Sequence, residues 1–177
     1  MFVDNPLPSF NQKMLWLVAL LGLGSVGIAL VSQHVFNMQP CPWCILQRVI
    51  FLAIAAVALI ASLLQGMFSR PTGTRFVVAL LALGLIALAF SGVAAAVYQE
   101  QVAVKLDSCV MTFADTFMTD LGWGDIFPDV FLARATCAEA AVNLLGIPYA
   151  YWGMLVYLLI ALLGLIVLVR NLRGQRR

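Results

Sequence analysis

The chain has 177 residues, of which 63% are apolar and only 10% charged, with a formal net charge of +2. That composition lies outside the range of soluble globular domains and points to a membrane protein. The small net charge averages a basic end and an acidic end, and no basic stretch suggests nucleic acid as a partner.

Four apolar stretches are long enough to cross a bilayer, which takes roughly 20 residues of helix. They run over about Met14–Val35, Ile45–Met67, Phe76–Tyr98 and Tyr149–Val169. Backbone polar groups in hydrocarbon must be satisfied internally, so the stretches read as helices, and the alternating segments of a membrane β-barrel are not seen. Lys13 ahead of the first stretch is compatible with a signal peptide, but the apolar run is longer than such a core and no small-x-small site follows it. It is expected to remain as a span. Gly22, Gly24, Gly27 and Gly92 are expected to let helices approach closely.

The connections differ in kind. Residues 36–44 form a short loop holding Pro40 and Pro42, and Ser69–Arg75 form a tight turn marked by Pro71 and Gly73. Residues 99–148 make a segment of about 50 residues, well above the usual connection length, as functional loops often are. Within it, Ile126, Phe127, Val130, Phe131 and Leu132 are too few to span. They fit either a short amphipathic helix lying at the membrane surface or packing of the loop on itself.

Charge sets the orientation. Lys13, Arg70, Arg75, Arg170, Arg173, Arg176 and Arg177 flank the side that holds both termini, against Asp4 alone. The other side has Arg48, Lys105 and Arg134 together with Glu100, Asp107, Asp115, Asp120, Asp125, Asp129 and Glu139. Lysine and arginine concentrate on the cytoplasmic side, so both termini are expected there and all four cysteines outside, where disulfides persist. The fold class is then all-α: one integral membrane domain over residues 1–177, a four-transmembrane-helix bundle with two outer loops.

The chemistry concentrates at Cys41-Pro42-Trp43-Cys44. Proline is unwelcome inside a helix but fits its first turn, so the second span should begin near Pro42. Cys44 would then lie in that first turn, where unpaired amides and the helix dipole favour an anion, the form in which a thiol reacts. Cys41, three residues earlier, is within reach for a disulfide. Arg48 follows Cys44 by one turn on the same face. An arginine at the hydrocarbon boundary is costly and tends to be functional, here by supporting a Cys44 thiolate or by bonding a ring carbonyl; snorkelling to headgroups is the bland reading. Gln47 is a weaker candidate for the same pocket.

Cys109 and Cys137 bracket a stretch of the long loop, where a disulfide would contribute about 3.5 kcal/mol through the unfolded chain. Taken alone they read as a staple; beside a second thiol pair, exchange becomes possible if the bond is accessible. Zinc fits poorly, because only one cysteine pair is closely spaced. His34 reads as an interfacial or packing residue, and Trp43, Tyr98, Tyr151 and Trp152 suit either an aromatic belt or the walls of an aromatic ligand site.

These residues resemble the bacterial inner-membrane DsbB family, disulfide bond formation protein B, over nearly the whole chain. The likeness rests on four spans in this order, Pro40 to Cys44 followed by Gln47-Arg48, Cys109 and Cys137 in the second outer loop, and Cys137-Ala138-Glu139 with Leu144-Leu145-Gly146 and Trp152 before the last span. The resemblance implies periplasmic loops and an enzyme that reoxidises a periplasmic DsbA-type thiol oxidase and passes electrons to membrane quinone, ubiquinone or menaquinone. It implies that Cys109–Cys137 is the partner-facing disulfide and Cys41–Cys44 the quinone-proximal one. By the same resemblance, the partner would attack at Cys109, Cys137 would exchange through Cys41, and Cys44 would meet the ring with Arg48 in support. Glu100 stands where the family carries a histidine near the quinone, a departure bearing on quinone identity and affinity.

Two other readings compete. A quinone reductase similar to the vitamin K epoxide reductases would carry its Cys-x-x-Cys late in the chain, not early. A scaffold without activity, stapled by two structural disulfides, would resist mild reductant.

Overall fold

The computed structural model describes residues 10–67, 72–106 and 111–175. Cys109 and part of the turn expected at Ser69–Arg75 lie outside the described residues. Four long helices, each apolar enough to span a membrane, make up the bundle: α1 (Phe10–Val35), α2 (Pro42–Met67), α3 (Thr72–Gln101) and α7 (Tyr149–Gln175). Between α3 and α7 come a 3₁₀ turn at Ala103–Lys105, three short helices, α4 (Phe113–Leu121), α5 (Trp123–Ile126) and α6 (Pro128–Phe131), and a hairpin of β1 (Asn143–Leu144) and β2 (Ile147–Pro148).

Each long helix exceeds its apolar stretch, because polar residues end the hydropathy signal before they end the helix. The case that matters is α3, which continues through Gln99 and Glu100. Sequential helices pack side by side, α1 on α2 and α2 on α3, and α7 closes the bundle against α3 and α1. The core runs along the bundle axis through Leu15, Val18, Ile54, Leu85, Ile160 and Val167. Phe51 and Tyr157 stack with ring centroids 4.0 Å apart, and the Tyr157 hydroxyl donates to the Gln47 carbonyl at 2.9 Å. Outward-facing Leu20, Ile28, Leu63, Leu80, Leu155 and Leu165 present an apolar coat to lipid.

Among the four glycines read as packing positions, only two behave so. A Cβ on Gly22 would lie 2.8 Å from the Phe51 carbonyl oxygen, and one on Gly92 would run into the Tyr157 ring. Gly24 and Gly27 have nothing within 4 Å, so the expectation fails there.

The long loop is a folded cap over one end of the bundle. Its α4 starts at Thr112, whose backbone N–H and hydroxyl both donate to the Asp115 carboxylate, and ends on Gly122 at φ 65°, the left-handed position that favours glycine. The apolar run after it is not one amphipathic helix, since Pro128 opens a separate helical turn and Phe127 lies between α5 and α6 with a non-helical backbone. Trp123 packs on Phe131, whereas Ile126, Phe127 and Leu132 face outward. The hairpin turns on Leu145 and Gly146, at φ 56° and 78°. Positive φ at both central residues is the geometry that matches the twist of paired strands.

Candidate active site

At the capped end, the sequence Pro40–Cys44 builds the start of α2. Cys41 occupies the capping position: its carbonyl accepts the Ile45 amide at 3.0 Å, and its sulfur accepts the Cys44 amide at 3.3 Å. The Cys41 and Cys44 sulfurs are 2.7 Å apart. Trp43 points the other way, into the cap. It is buried, its indole N–H donates to the Thr112 hydroxyl at 3.0 Å, and its ring meets Tyr98 at 4.6 Å. Trp43 is therefore a bolt between α2, α3 and α4, not a member of a lipid-facing aromatic belt.

The loop brings Cys137 to the same place. Backbone amides of Arg134 and Ala135 both donate to the Pro40 carbonyl, at 3.0 and 3.3 Å, so the cap is fastened one residue before Cys41. Thr136 and Glu139 then brace the turn that carries Cys137: the Thr136 amide and hydroxyl donate to the Glu139 carboxylate, and the Glu139 amide donates back to the hydroxyl. These bonds, first that from the Thr136 amide, hold the exposed Glu139 carboxyl below its usual range. Cys137 is nearly buried, within hydrogen-bonding reach of the Cys41 thiol and the Trp43 backbone amide. The Cys41 hydrogen bond pulls the Cys137 thiol below its ordinary range, against the opposing effect of burial. Cys41 moves the other way, its proton held chiefly by Cys137 and then by Cys44. Cys41 is thus the hub, with Cys44 on one side and Cys137 on the other.

Cys44 also faces a cavity of about 340 Å³, lined with Gln47, Arg48, Gln99, Tyr149 and Trp152 among others. Small-molecule pockets commonly have this size and mix of apolar wall with a few polar groups. Gln47 donates to the Gln99 side-chain oxygen at 2.6 Å, and Gln99 donates to the Cys44 sulfur at 3.4 Å. Arg48 does not snorkel; it is only 5% exposed. One terminal nitrogen donates to the Gln33 side-chain oxygen and to the Val130 carbonyl, both at 2.8 Å, and the other to the Ala29 carbonyl at 3.4 Å. Its Nε is buried with no partner among the described residues.

Glu100 does not line this cavity; Gln99 does. One residue along a helix turns the side chain by about 100°, enough to take the carboxylate off the cavity face. Gln99 and Gln33 are the polar residues that sequence reading passed over. His34, picked out as the only histidine, is exposed beside the buried Gln33. Of the span-end aromatics, Trp152 takes the second of its two roles and lines the cavity; Tyr151 does not, and Tyr149 beside it, not singled out from the sequence, does.

Fold and site together define a class: a multi-pass helical membrane protein that gathers cysteine sulfurs at one helix N-terminus beside an apolar cavity. The family model for disulfide bond formation protein DsbB matches residues 11–167. Disulfide bond formation protein B 1 of Pseudomonas syringae pv. syringae is 33% identical over 171 residues, covering 96% of this chain and 97% of the relative. That of Pseudomonas putida is 32% identical over 163 residues, covering 92% and 93%. Disulfide bond formation protein B of Cupriavidus metallidurans is 29% identical over 156 residues, covering 88% and 91%. The chain belongs to the DsbB family, and its role is that of a disulfide oxidoreductase.

Proposed function

We propose that the protein is a thiol:quinone oxidoreductase of the bacterial inner membrane that reoxidises a periplasmic DsbA-type thiol oxidase. The observation that carries this reading is the position of Cys41, 2.7 Å from the Cys44 sulfur and buried in one cluster with Cys137, with Cys44 alone of these three on the cavity. Such a chain of sulfurs supports stepwise exchange from a soluble partner to a lipid-borne acceptor. The charge asymmetry of the sequence supports a periplasmic position for the cysteines.

The exchanges balance as follows. A thiolate of the reduced partner attacks Cys109 of a Cys109–Cys137 disulfide; that S–S bond breaks and Cys137 leaves as thiolate. The Trp43 amide is the group that would receive this charge. Cys137 then attacks Cys41 of a Cys41–Cys44 disulfide and releases Cys44 as thiolate. The partner's second thiol resolves the bond at Cys109, leaving the partner oxidised and Cys109 free; Cys109 then attacks Cys137 of the Cys137–Cys41 bond and releases Cys41, so that the two electrons are held at Cys41 and Cys44.

The cavity suits a quinone headgroup: aromatic and aliphatic walls, Gln47 and Gln99 beside the sulfur, and a buried Arg48 Nε that needs an acceptor. Quinone, when bound, takes up two electrons and two protons and carries them away in the lipid. Gln99 holds the Cys44 sulfur at the cavity wall, and Arg48, which lines the same cavity, supplies positive charge there. Ubiquinone or menaquinone would serve. The test is oxidation of reduced DsbA by the purified protein with ubiquinone: activity is expected in the wild type and loss of it in Cys44→Ser. Undiminished turnover in Cys44→Ser would sink the assignment.

A further inference from the structure

Arg48 is not a free cation in the cavity wall. Three of its hydrogen bonds go to protein acceptors on two different parts of the chain, and the acceptor that joins them is Gln33. Gln33 is 3% exposed near the end of α1, at a position where the preceding turns bury Leu15, Val18, Gly22 and Val26. A glutamine in that stripe costs stability unless both ends of its amide are satisfied. Both are: Oε1 accepts from Arg48 at 2.8 Å, and Nε2 donates to the Asp129 carbonyl at 3.1 Å. The next carbonyl, Val130, accepts from the same Arg48 nitrogen. Gln33, Arg48 and the backbone at Asp129–Val130 thus close a triangle that joins α1, α2 and α6.

We propose that Gln33 is a positioning residue for the cavity, acting through Arg48. Its oxygen fixes the guanidinium beside the cavity, with Nε left unpartnered among the described residues, and its N–H fastens the cap to the bundle at Asp129. The inference rests on the quinone reading for the nature of the ligand, but not for the fastening. It assigns the two atoms of one amide two separable duties, which two substitutions can pull apart. Leucine keeps the approximate volume and removes both bonds. Glutamate keeps an acceptor for Arg48 but has no N–H for the Asp129 carbonyl.

The experiment uses the full chain in detergent, with ubiquinone-1 and a reduced thioredoxin-fold dithiol oxidase, and hydrogen exchange measured over residues 130–135. Loss of a charge-assisted bond predicts a KM for ubiquinone-1 about tenfold higher in Gln33→Leu, with kcat within about threefold of wild type. Exchange over 130–135 should quicken about tenfold in the same variant. Gln33→Glu should keep KM within about threefold of wild type and still show the faster exchange. An unchanged KM in Gln33→Leu overturns the proposal, as does unchanged exchange in Gln33→Glu; the second result decides the matter should Gln33→Leu fail to fold. Wild-type protein that consumes no ubiquinone-1 would instead defeat the quinone reading, and exchange, which needs no quinone, reports the fastening separately.

Discussion

Gln99 donates its side-chain N–H to the Cys44 sulfur at 3.4 Å, across 55 positions of sequence and from a different helix. Its own oxygen is held by Gln47 at 2.6 Å, so the amide cannot turn over without breaking that bond. The pair of glutamines is therefore a directed device: Gln47 on α2 orients Gln99 on α3, and Gln99 presents a donor to sulfur. A donor aimed at sulfur helps most when the sulfur is anionic, because hydrogen bonds to charged groups are worth about 1.5–3 kcal/mol against about 1 for neutral pairs.

Gln99→Leu is accordingly expected to slow quinone-linked oxidation of the reduced partner by about tenfold to a hundredfold. Glu100→Gln, one residue on and off the cavity face, should stay within about twofold of wild type. Steady-state rates with the two variants side by side make the check. Equal losses at the two positions would mean that the cavity is not where the sulfur reacts.

Much of the architecture was written locally. Two prolines placed the start of α2, and run length placed the four spans. What escaped notice depends on helical phase or on contacts distant in sequence. Gln99 follows a stripe of small buried residues, Ala89, Gly92 and Ala96, and precedes Ala103, at helical spacing. A polar residue falling on such a stripe signals a partner across the interface, and the same logic finds Gln33 after Val26. Glu100, marked by its alignment with the family's histidine, and His34, the sole histidine of the sequence, have a helical phase that turns them away from the cavity. The approach of Cys137 to Cys41 had no local signal at all. It depends on Arg134 and Ala135 docking on the Pro40 carbonyl, a long-range backbone contact that no residue type announces. The hairpin was hidden for another reason, since Leu145 at φ 56° occupies a conformation that leucine rarely adopts.

The hub position of Cys41 has a consequence that titration can read. The Cys137 thiol lies below its usual range chiefly because Cys41 hydrogen-bonds to it. The thiolate fraction of Cys137 therefore rises with pH earlier than for an ordinary thiol, and removal of the donor moves that rise to higher pH. In fully reduced protein, the pH midpoint for alkylation of Cys137 by iodoacetamide, resolved by peptide mass spectrometry, should increase in Cys41→Ala. The midpoint is the useful quantity, because the substitution also opens space and changes absolute rates. A midpoint that stays put would mean that the Trp43 amide alone sets the state of Cys137.

The close approach of α1 to α2 at Gly22 offers a stability test independent of redox chemistry. A methyl group on Gly22 would meet the Phe51 carbonyl oxygen at 2.8 Å and the Ala55 Cβ at 3.3 Å, so α1 and α2 must separate to admit it. Neither obstacle is a flexible side chain that can swing aside. Gly22→Ala should cost about 1–3 kcal/mol, the usual penalty for overpacking a close interface. Gly24, two residues on, has open space around the same added atom, so Gly24→Ala should leave stability unchanged or raise it by up to about 1 kcal/mol through helix propensity. Thermal unfolding of the two variants in the same detergent compares them directly. The separation of α1 from α2 would also lengthen the Gln33–Arg48 bond, which joins those two helices. Gly22→Ala is therefore expected to weaken quinone affinity as well as stability, whereas Gly24→Ala should alter neither by more than about twofold in KM. Equal behaviour of the two alanine variants would show that helix approach at Gly22 does not hold the cavity together.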